Sequence, residues 1–289
     1  MKIVICTKRD LAGNLALNRL VSALAPRHNV HVVLSDYVLK AERANLLAAC
    51  LLNHERDMPL KLFYPYLDDR FPEGSTAEYQ TFSGISKKFG IPVELWGRAS
   101  RPEAAAAMRA LAPDVILSCR YDFIFREDII SIPRLGIYGM HPGVLPQIQG
   151  LCGPFRAMQM RHARSGCTVF HIDPGIDSGD VVDVGWADIR YDRSLLWNFV
   201  QTYFAGIEAF LRHLPVLERE ERLPGTSQDK TQEQYFSYPT EEEFRQFAEN
   251  GGRLIDMDDY RQLLSLYLPQ GLDDPCLPEM EDLLNPSGC

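Results

Sequence analysis

The chain has 289 residues, enough for one large domain or one domain with an appendage, and its 46% apolar and 24% charged residues are the balance of a globular protein. Thirty Lys and Arg against 39 Asp and Glu leave a formal charge of −9, which argues against a broad nucleic-acid-binding face, because such a face needs cations to displace counterions. No apolar run approaches the roughly 20 residues of a membrane-crossing helix, and the seven cysteines are scattered without a CxxC pair, so a soluble, reduced, cytoplasmic protein without membrane contact is expected.

The opening KIVIC is a continuous apolar run rich in β-branched residues, which reads as a strand buried on both faces of a parallel sheet rather than as a signal peptide. A helix follows, with Leu15, Leu17, Leu20, Val21 and Leu24 on one face and Pro26 ending it. NVHVVLSD is the next strand, and Leu39, Ala44, Leu47 and Leu51 mark another helix. KLFY and IPVELW read as short strands with a polar helix between them, from Thr76 to Phe89. Ser100 and Glu103 have capping-box spacing ahead of the helix PEAAAAMRALA, and PDVILSC is again a buried strand. This alternation predicts an α/β fold with a Rossmann-like, mostly parallel sheet, although neither a GxGxxG nor a GxxxxGK[ST] loop is present.

From about residue 191 the pattern changes. DRSLLWNFVQTYFAGIEAFLRHL is one long amphipathic helix for which Asp192 or Ser194 offers an N-cap. The catalytic domain is expected over 1–213, and a linker and small acidic C-terminal extension over 214–289. Residues 231–289 carry thirteen acids and three arginines, with short helices after Pro239 and over Asp258 to Leu266, then a frayed tail containing Pro275, Pro278 and Pro286.

Residues able to do chemistry concentrate between Tyr121 and Asp180. LGIYGMHPGVLPQIQG runs a strand into His141 and a Gly/Pro-shaped loop, the end of an α/β sheet at which ligands bind. GCTVFHIDPGIDSGDVV is a strand, a tight acidic loop and another strand, and adjacent strand ends would bring an Asp of that loop to His141, to orient the imidazole or accept a proton itself. His28, His31, His54, His162 and His213 read as surface or packing residues, and His171 as either a core histidine or a pocket residue. No metal-ligand spacing occurs, and no metal is expected.

The ordered set LAPDVILSCRYDFIF, IPRLGIYGMHPGVLPQIQG and TVFHIDPGIDSGDVV resembles the folate-dependent formyltransferases, which act on glycinamide ribonucleotide, methionyl-tRNA or sugar amines. The similarity spans roughly residues 1–210 and is strongest from 105 to 185. The family signature is Asn-x-His followed by an Asp in a Leu-Asp-x-Gly loop; His141 matches the histidine and Asp177 the aspartate, but Gly139 stands at the asparagine. The resemblance implies attack of an amine on the formyl carbon of 10-formyltetrahydrofolate, with Asn and His stabilising an oxyanion and Asp accepting the amine's proton. Here the missing donor is expected to be replaced by backbone amides around Gly139, by a water in the vacated space, by Gln149, or by an acceptor that fills that space. An acceptor more nucleophilic than an ordinary amine would also ask less of the oxyanion site.

By the same resemblance, Tyr121, Phe123, Ile124 and Phe125, with Asp173, Pro174, Gly175 and Ile176, are expected around the pterin ring, although core packing explains the aromatics equally well. Gln147, Gln149 and Gly150 stand where relatives often carry Arg-x-x-Gly toward the acceptor, so an acceptor phosphate would meet fewer positive charges. The acidic, proline-broken last 60 residues differ from the basic domain that holds initiator tRNA in that branch. The implied reaction is therefore formyl transfer to the amine or N-hydroxy amine of a small molecule (a sugar amine, an amino acid or a specialised metabolite), with no nucleic-acid partner and with self-association into a homodimer left open. The alternatives are a folate-binding protein that has lost activity with the Asn, and a 10-formyltetrahydrofolate hydrolase.

Overall fold

The computed structural model describes residues 1–96 and 102–270. In chain order the elements are β1 (Lys2–Lys8), α1 (Leu11–Leu24), β2 (Asn29–Ser35), α2 (Leu46–Leu52), α3 (Tyr64–Arg70), α4 (Phe82–Phe89), β3 (Val93–Leu95), α5 (Pro102–Leu111), β4 (Val115–Cys119), α6 (Glu127–Ile130) and β5 (Ile137–His141). There follow β6 (Gln149–Gly150), α7 (Gly153–Gln159), β7 (Arg164–His171), β8 (Val181–Asp188), α8 (Leu195–Glu218), β9 (Tyr235–Phe236), α9 (Glu241–Glu249) and α10 (Met257–Ser265). Seven strands form one sheet in the order β3-β2-β1-β4-β5-β7-β8, parallel from β3 to β5 and antiparallel at β7 and β8. The expected Rossmann-like, mostly parallel sheet is the fold of the chain.

The apolar run of β1 has a simple cause. Ile3 and Ile5 join the large core beneath α1 and α8, while Val4 and Cys6 join a second core on the opposite face with Ala105 and Met108 of α5 and Ile129 of α6. Both faces are covered, so alternate residues must all be apolar. Ser194, not Asp192, caps α8, its side chain accepting from the Trp197 N–H.

Three sequence expectations are corrected. KLFY is not a strand: it lies in a helical turn, Pro59–Phe63, that runs into α3, where Phe63, Tyr64 and Leu67 are buried together at helical spacing. The polar helix begins at Phe82, capped by Thr81, rather than at Thr76. The boundary at 213/214 falls inside α8, and the expected extension shares the main core. Phe244 and Phe247 of α9 pack on Phe155, the Tyr260 hydroxyl donates to the His54 carbonyl (3.0 Å), and the Tyr267 hydroxyl bonds the Asn14 amide (2.6 Å). Burial of these aromatics makes 214–268 part of one body with the sheet. Ser100 of the expected capping box and the proline-rich tail lie outside the described residues. Among the described residues no helix is long and apolar enough to cross a membrane.

Candidate active site

His141 ends β5, and the register of β5 against β7 sets Gly139 beside Phe170, Met140 beside Val169 and His141 beside Thr168. The loop leaving His141 is pinned by Thr168, whose hydroxyl donates to the Gly143 carbonyl (2.6 Å) and accepts from the Leu145 N–H (3.1 Å). The imidazole is buried; its Nε2 lies 2.7 Å from the Ile148 carbonyl and its Nδ1 3.5 Å from Asp177 Oδ2. Nε2 therefore carries a proton donated to Ile148, and Nδ1 is the nitrogen turned to the carboxylate.

Asp177 sits in the β7–β8 loop with a left-handed backbone (φ 51°). Its Oδ2 also accepts from the Gly150 N–H (3.0 Å), and its carbonyl accepts from Gln228 Nε2 (2.9 Å) and Gln149 Nε2 (3.4 Å). Among the described residues its Oδ1 has no hydrogen-bond partner, which leaves that oxygen able to take a proton from a bound group.

Both side chains open on a cleft of roughly 370 Å³ at the carboxyl ends of the central strands. Its apolar half is built by Tyr121, Phe123, Ile124 and Phe125 from the loop after β4, and by Gly175 and Ile176 with Asp173 from the loop carrying Asp177. Tyr121 and Phe125 stack at 5.5 Å, and Ile124 and Ile176 remain 56% and 52% exposed at the mouth. Asp173 closes its own turn, its Oδ1 accepting from the Gly175 N–H and the Ser178 hydroxyl. Gly150 lines the cleft as well. Gln149 does not: it is buried beneath the Asp177 loop, so it is no replacement donor, and Gln147 is turned away to Gln232. His171 is a core histidine, bonded to the Leu223 carbonyl (2.8 Å) and packed on Tyr138, with burial lowering its pKa.

The space a side chain at 139 would need is not taken by Gln149. A Cβ there would stand 2.3 Å from Cε1 of the Phe170 ring, so that ring fills the place. Gly139 itself is in an extended strand without positive φ. The glycine is thus a packing requirement of its cross-strand neighbour.

The opposite half of the cleft carries charges that sequence reading missed. Lys8, at the end of β1, lies 3.1 Å from Glu42 and 3.2 Å from Asp122. Arg120, held at φ 58°, bonds Asp10 through Nε (2.8 Å) and meets Glu55 through Nη2 (3.1 Å). Burial works against the Lys8 charge, but Asp122, Glu42 and Asp10 outweigh it and raise its pKa. Burial also lifts Glu55, with Arg120 opposing and Asp10 and Glu42 adding, to about 7. The signal for Lys8, Arg120 and Asp122 was available, since TKRD and CRYD put charge directly behind apolar strands; Glu42 and Glu55 sit on two helical turns either side of α2 and gave none. The C-terminal segment supplies the last wall. β9 pairs with β6, and Tyr235 and Tyr238 line the cleft. Among the described residues no group of three or more His, Cys, Asp or Glu side chains is placed to hold a metal ion.

Residues 81–194 match the model of the formyl transferase family. The methionyl-tRNA formyltransferase of Kosmotoga olearia is 31% identical over 97 residues, 34% of this chain and 31% of that protein. That of Burkholderia vietnamiensis is 26% identical over 189 residues, 63% of this chain and 58% of that one. The chain thus matches between 31% and 58% of the length of these two curated relatives. Among solved structures, phosphoribosylglycinamide formyltransferase from Anaplasma phagocytophilum is similar with a TM-score of 0.53 at 13% identity, over 83% of this chain and 99% of that one. The N-formyltransferase from Helicobacter canadensis, solved with folinic acid and dTDP-3-aminofucose, is similar with a TM-score of 0.51 at 16% identity, over 82% and 71%. At these identities the two structures speak to the fold.

Proposed function

The chain belongs to the formyl transferase family through residues 81–194, and on that footing we propose that it moves a formyl group from 10-formyltetrahydrofolate to the amine or N-hydroxy amine of a small molecule. The observation that carries this reading is the Asp177 carboxylate, held against His141 with one oxygen free, at the junction of an apolar slot and a polar pocket. The apolar half fits a flat heteroaromatic ring, because the uncovered surfaces of Ile124 and Ile176 and the Tyr121–Phe125 stack offer it faces to pack on. The donor would supply a formyl carbon bonded to nitrogen. As the bond from the acceptor nitrogen to that carbon forms and the bond to the donor nitrogen breaks, Asp177 Oδ1 takes the acceptor's proton and the donor nitrogen takes one up, leaving a formamide and tetrahydrofolate. The Gly150 N–H holds the carboxylate in place for this transfer, and His141 pairs with it when Nδ1 as well as Nε2 carries a proton.

Initiator tRNA is not the acceptor in this reading, because the expected appendage is spent on closing the cleft with Tyr235 and Tyr238. Release of tetrahydrofolate from 10-formyltetrahydrofolate only when a small amine is present is the expected result. Formate release without any amine would indicate a hydrolase instead. The Phe170 ring at the donor position favours a second reading, a folate-binding protein without turnover; binding of a folate analogue with no transfer to sugar-amine, amino-acid or hydroxylamine panels would select it.

A further inference from the structure

The charged half of the cleft has an excess of one sign. Lys8 and Arg120 face four carboxylates, those of Asp10, Glu42, Glu55 and Asp122. Asp10, Glu42 and Asp122 are each further satisfied, by the Gly13 N–H (2.8 Å), the Leu39 N–H (2.6 Å) and the Ser35 hydroxyl (2.7 Å). Glu55 differs. It is 7% exposed and lines the cleft, one oxygen meets Arg120 at 3.1 Å, and the other has no partner among the described residues. That second oxygen faces the cleft, where the donor of a bound cation can reach it and add a charge-assisted bond beside the Arg120 pair.

A second observation concerns anions. The amino end of a helix such as α1, next to the cleft, would ordinarily receive a phosphate on its free N–H groups. Here the Asp10 carboxylate occupies that place as the N-cap, and Arg120 is spent on the same carboxylate. Neither the helix end nor the guanidinium is left for an acceptor phosphate.

We propose that the acceptor carries a second positive charge besides its reacting amine, as a diamine or a basic amino acid does, that this charge is held by Glu55, and that phosphate-bearing acceptors are excluded. This rests on the formyl-transfer reading for what happens to the other amine, but not for the binding itself. The arriving ammonium gives the open Glu55 oxygen its donor and offsets the surplus negative charge. Such a cation also draws Glu55 to its ionised form from a position where burial has pushed it up to about 7.

Titration calorimetry at pH 8 tests it, with 1,4-diaminobutane and L-lysine as cationic probes and dTDP and inorganic pyrophosphate as anionic ones, on the full chain and on Glu55→Gln. The diamine or lysine is expected to bind, and Glu55→Gln to weaken that binding about tenfold or more, while the anions leave no signal. Absence of binding by both cationic probes, binding unchanged in Glu55→Gln, or binding of the anions in their place overturns the proposal. Turnover separates this outcome from the fate of the wider reading. Cation binding through Glu55 without formyl transfer to any amine removes the enzyme and keeps the subsite. Transfer to a phosphate-bearing sugar amine, with KM unaffected by Glu55→Gln, keeps the enzyme and removes the subsite.

Discussion

Asp177 and Gly139 carry the sharpest tests at the scale of single residues. Asp177→Asn keeps the volume and can still accept from the Gly150 N–H, but it cannot take a proton. It is expected to lower kcat by about 10²–10⁴-fold, the usual worth of a positioned acid–base group, with thermal stability and folate-analogue binding close to wild type. Steady-state kinetics beside a melting curve checks both halves, and retention of more than about a tenth of kcat would remove Asp177 from the chemistry. At Gly139 the structure replaces a question about donors with one about space. Gly139→Asn drives its Cβ into the Phe170 ring, so a loss of about 1–3 kcal/mol in stability and no gain in kcat are expected, as for other overpacked sites. Gly139→Asn combined with Phe170→Ala should lose less than the two single changes added together, because the pair share one volume. Urea denaturation of the four proteins measures this, and strict additivity would show that the ring simply yields.

Among the elements, the β6–β9 ribbon matters most to the site. Gly150 has φ 89°, and a Cβ there would stand 2.3 Å from the Phe236 carbonyl, so Gly150→Ala pushes β9 away and moves the N–H that holds Asp177. A fall of up to about 10²-fold in kcat/KM is expected, since displacement of a catalytic group by about 1 Å has that effect. A wild-type value in this variant would mean that the ribbon positions nothing. The ribbon was illegible beforehand because each strand has only two residues, too few to show a period. The long elements were legible for the opposite reason. Leu15, Leu20 and Leu24 mark α1 through three turns, and β1 is apolar throughout because two cores flank it. KLFY failed as a strand because four residues fit either period until Leu67 extends the helical one.

For the whole molecule, the buried charge network couples stability to pH. Glu55 binds its proton more tightly in the folded state, its pKa rising from 4.5 to about 7 under the influence of burial, Asp10 and Glu42, against Arg120 and Lys8. Cys152 and Tyr238, which face the same group, feel its charge in turn, and burial keeps both in their neutral forms. Between those two pH values the folded chain therefore holds more proton than the unfolded one, and this contribution to stability is lost as pH rises through the window. Glu55→Gln is expected to raise the Tm at pH 8 and to change it little at pH 5. Melting curves at the two pH values decide; a Tm lowered at pH 8 would mean that the ion pair with Arg120 outweighs the burial of charge.

Periodicity and strand-end chemistry are local properties, and they were enough to determine the α/β sheet, the order of its long elements and the approach of an acidic loop to His141 at one end of it, while the choice of Asp177 within that loop came from the family resemblance. His141 ends β5 and Asp177 sits in the loop that leaves the neighbouring strand β7, so their meeting follows from topology. What packs across strands or between distant segments is not local, and only the tertiary structure decided it. Phe170 lies 31 positions from Gly139 yet fills its side-chain space, Gln149 turns under a loop instead of into the cleft, and Glu42 and Glu55 reach Lys8 and Arg120 from another part of the chain. The same holds for residues 214–268, whose acidic composition suggested an appendage. Four of their seven aromatics, Phe244, Phe247, Tyr260 and Tyr267, are buried in the common core, and burial of a handful of large apolar groups outweighs the solvation of the many acids around them.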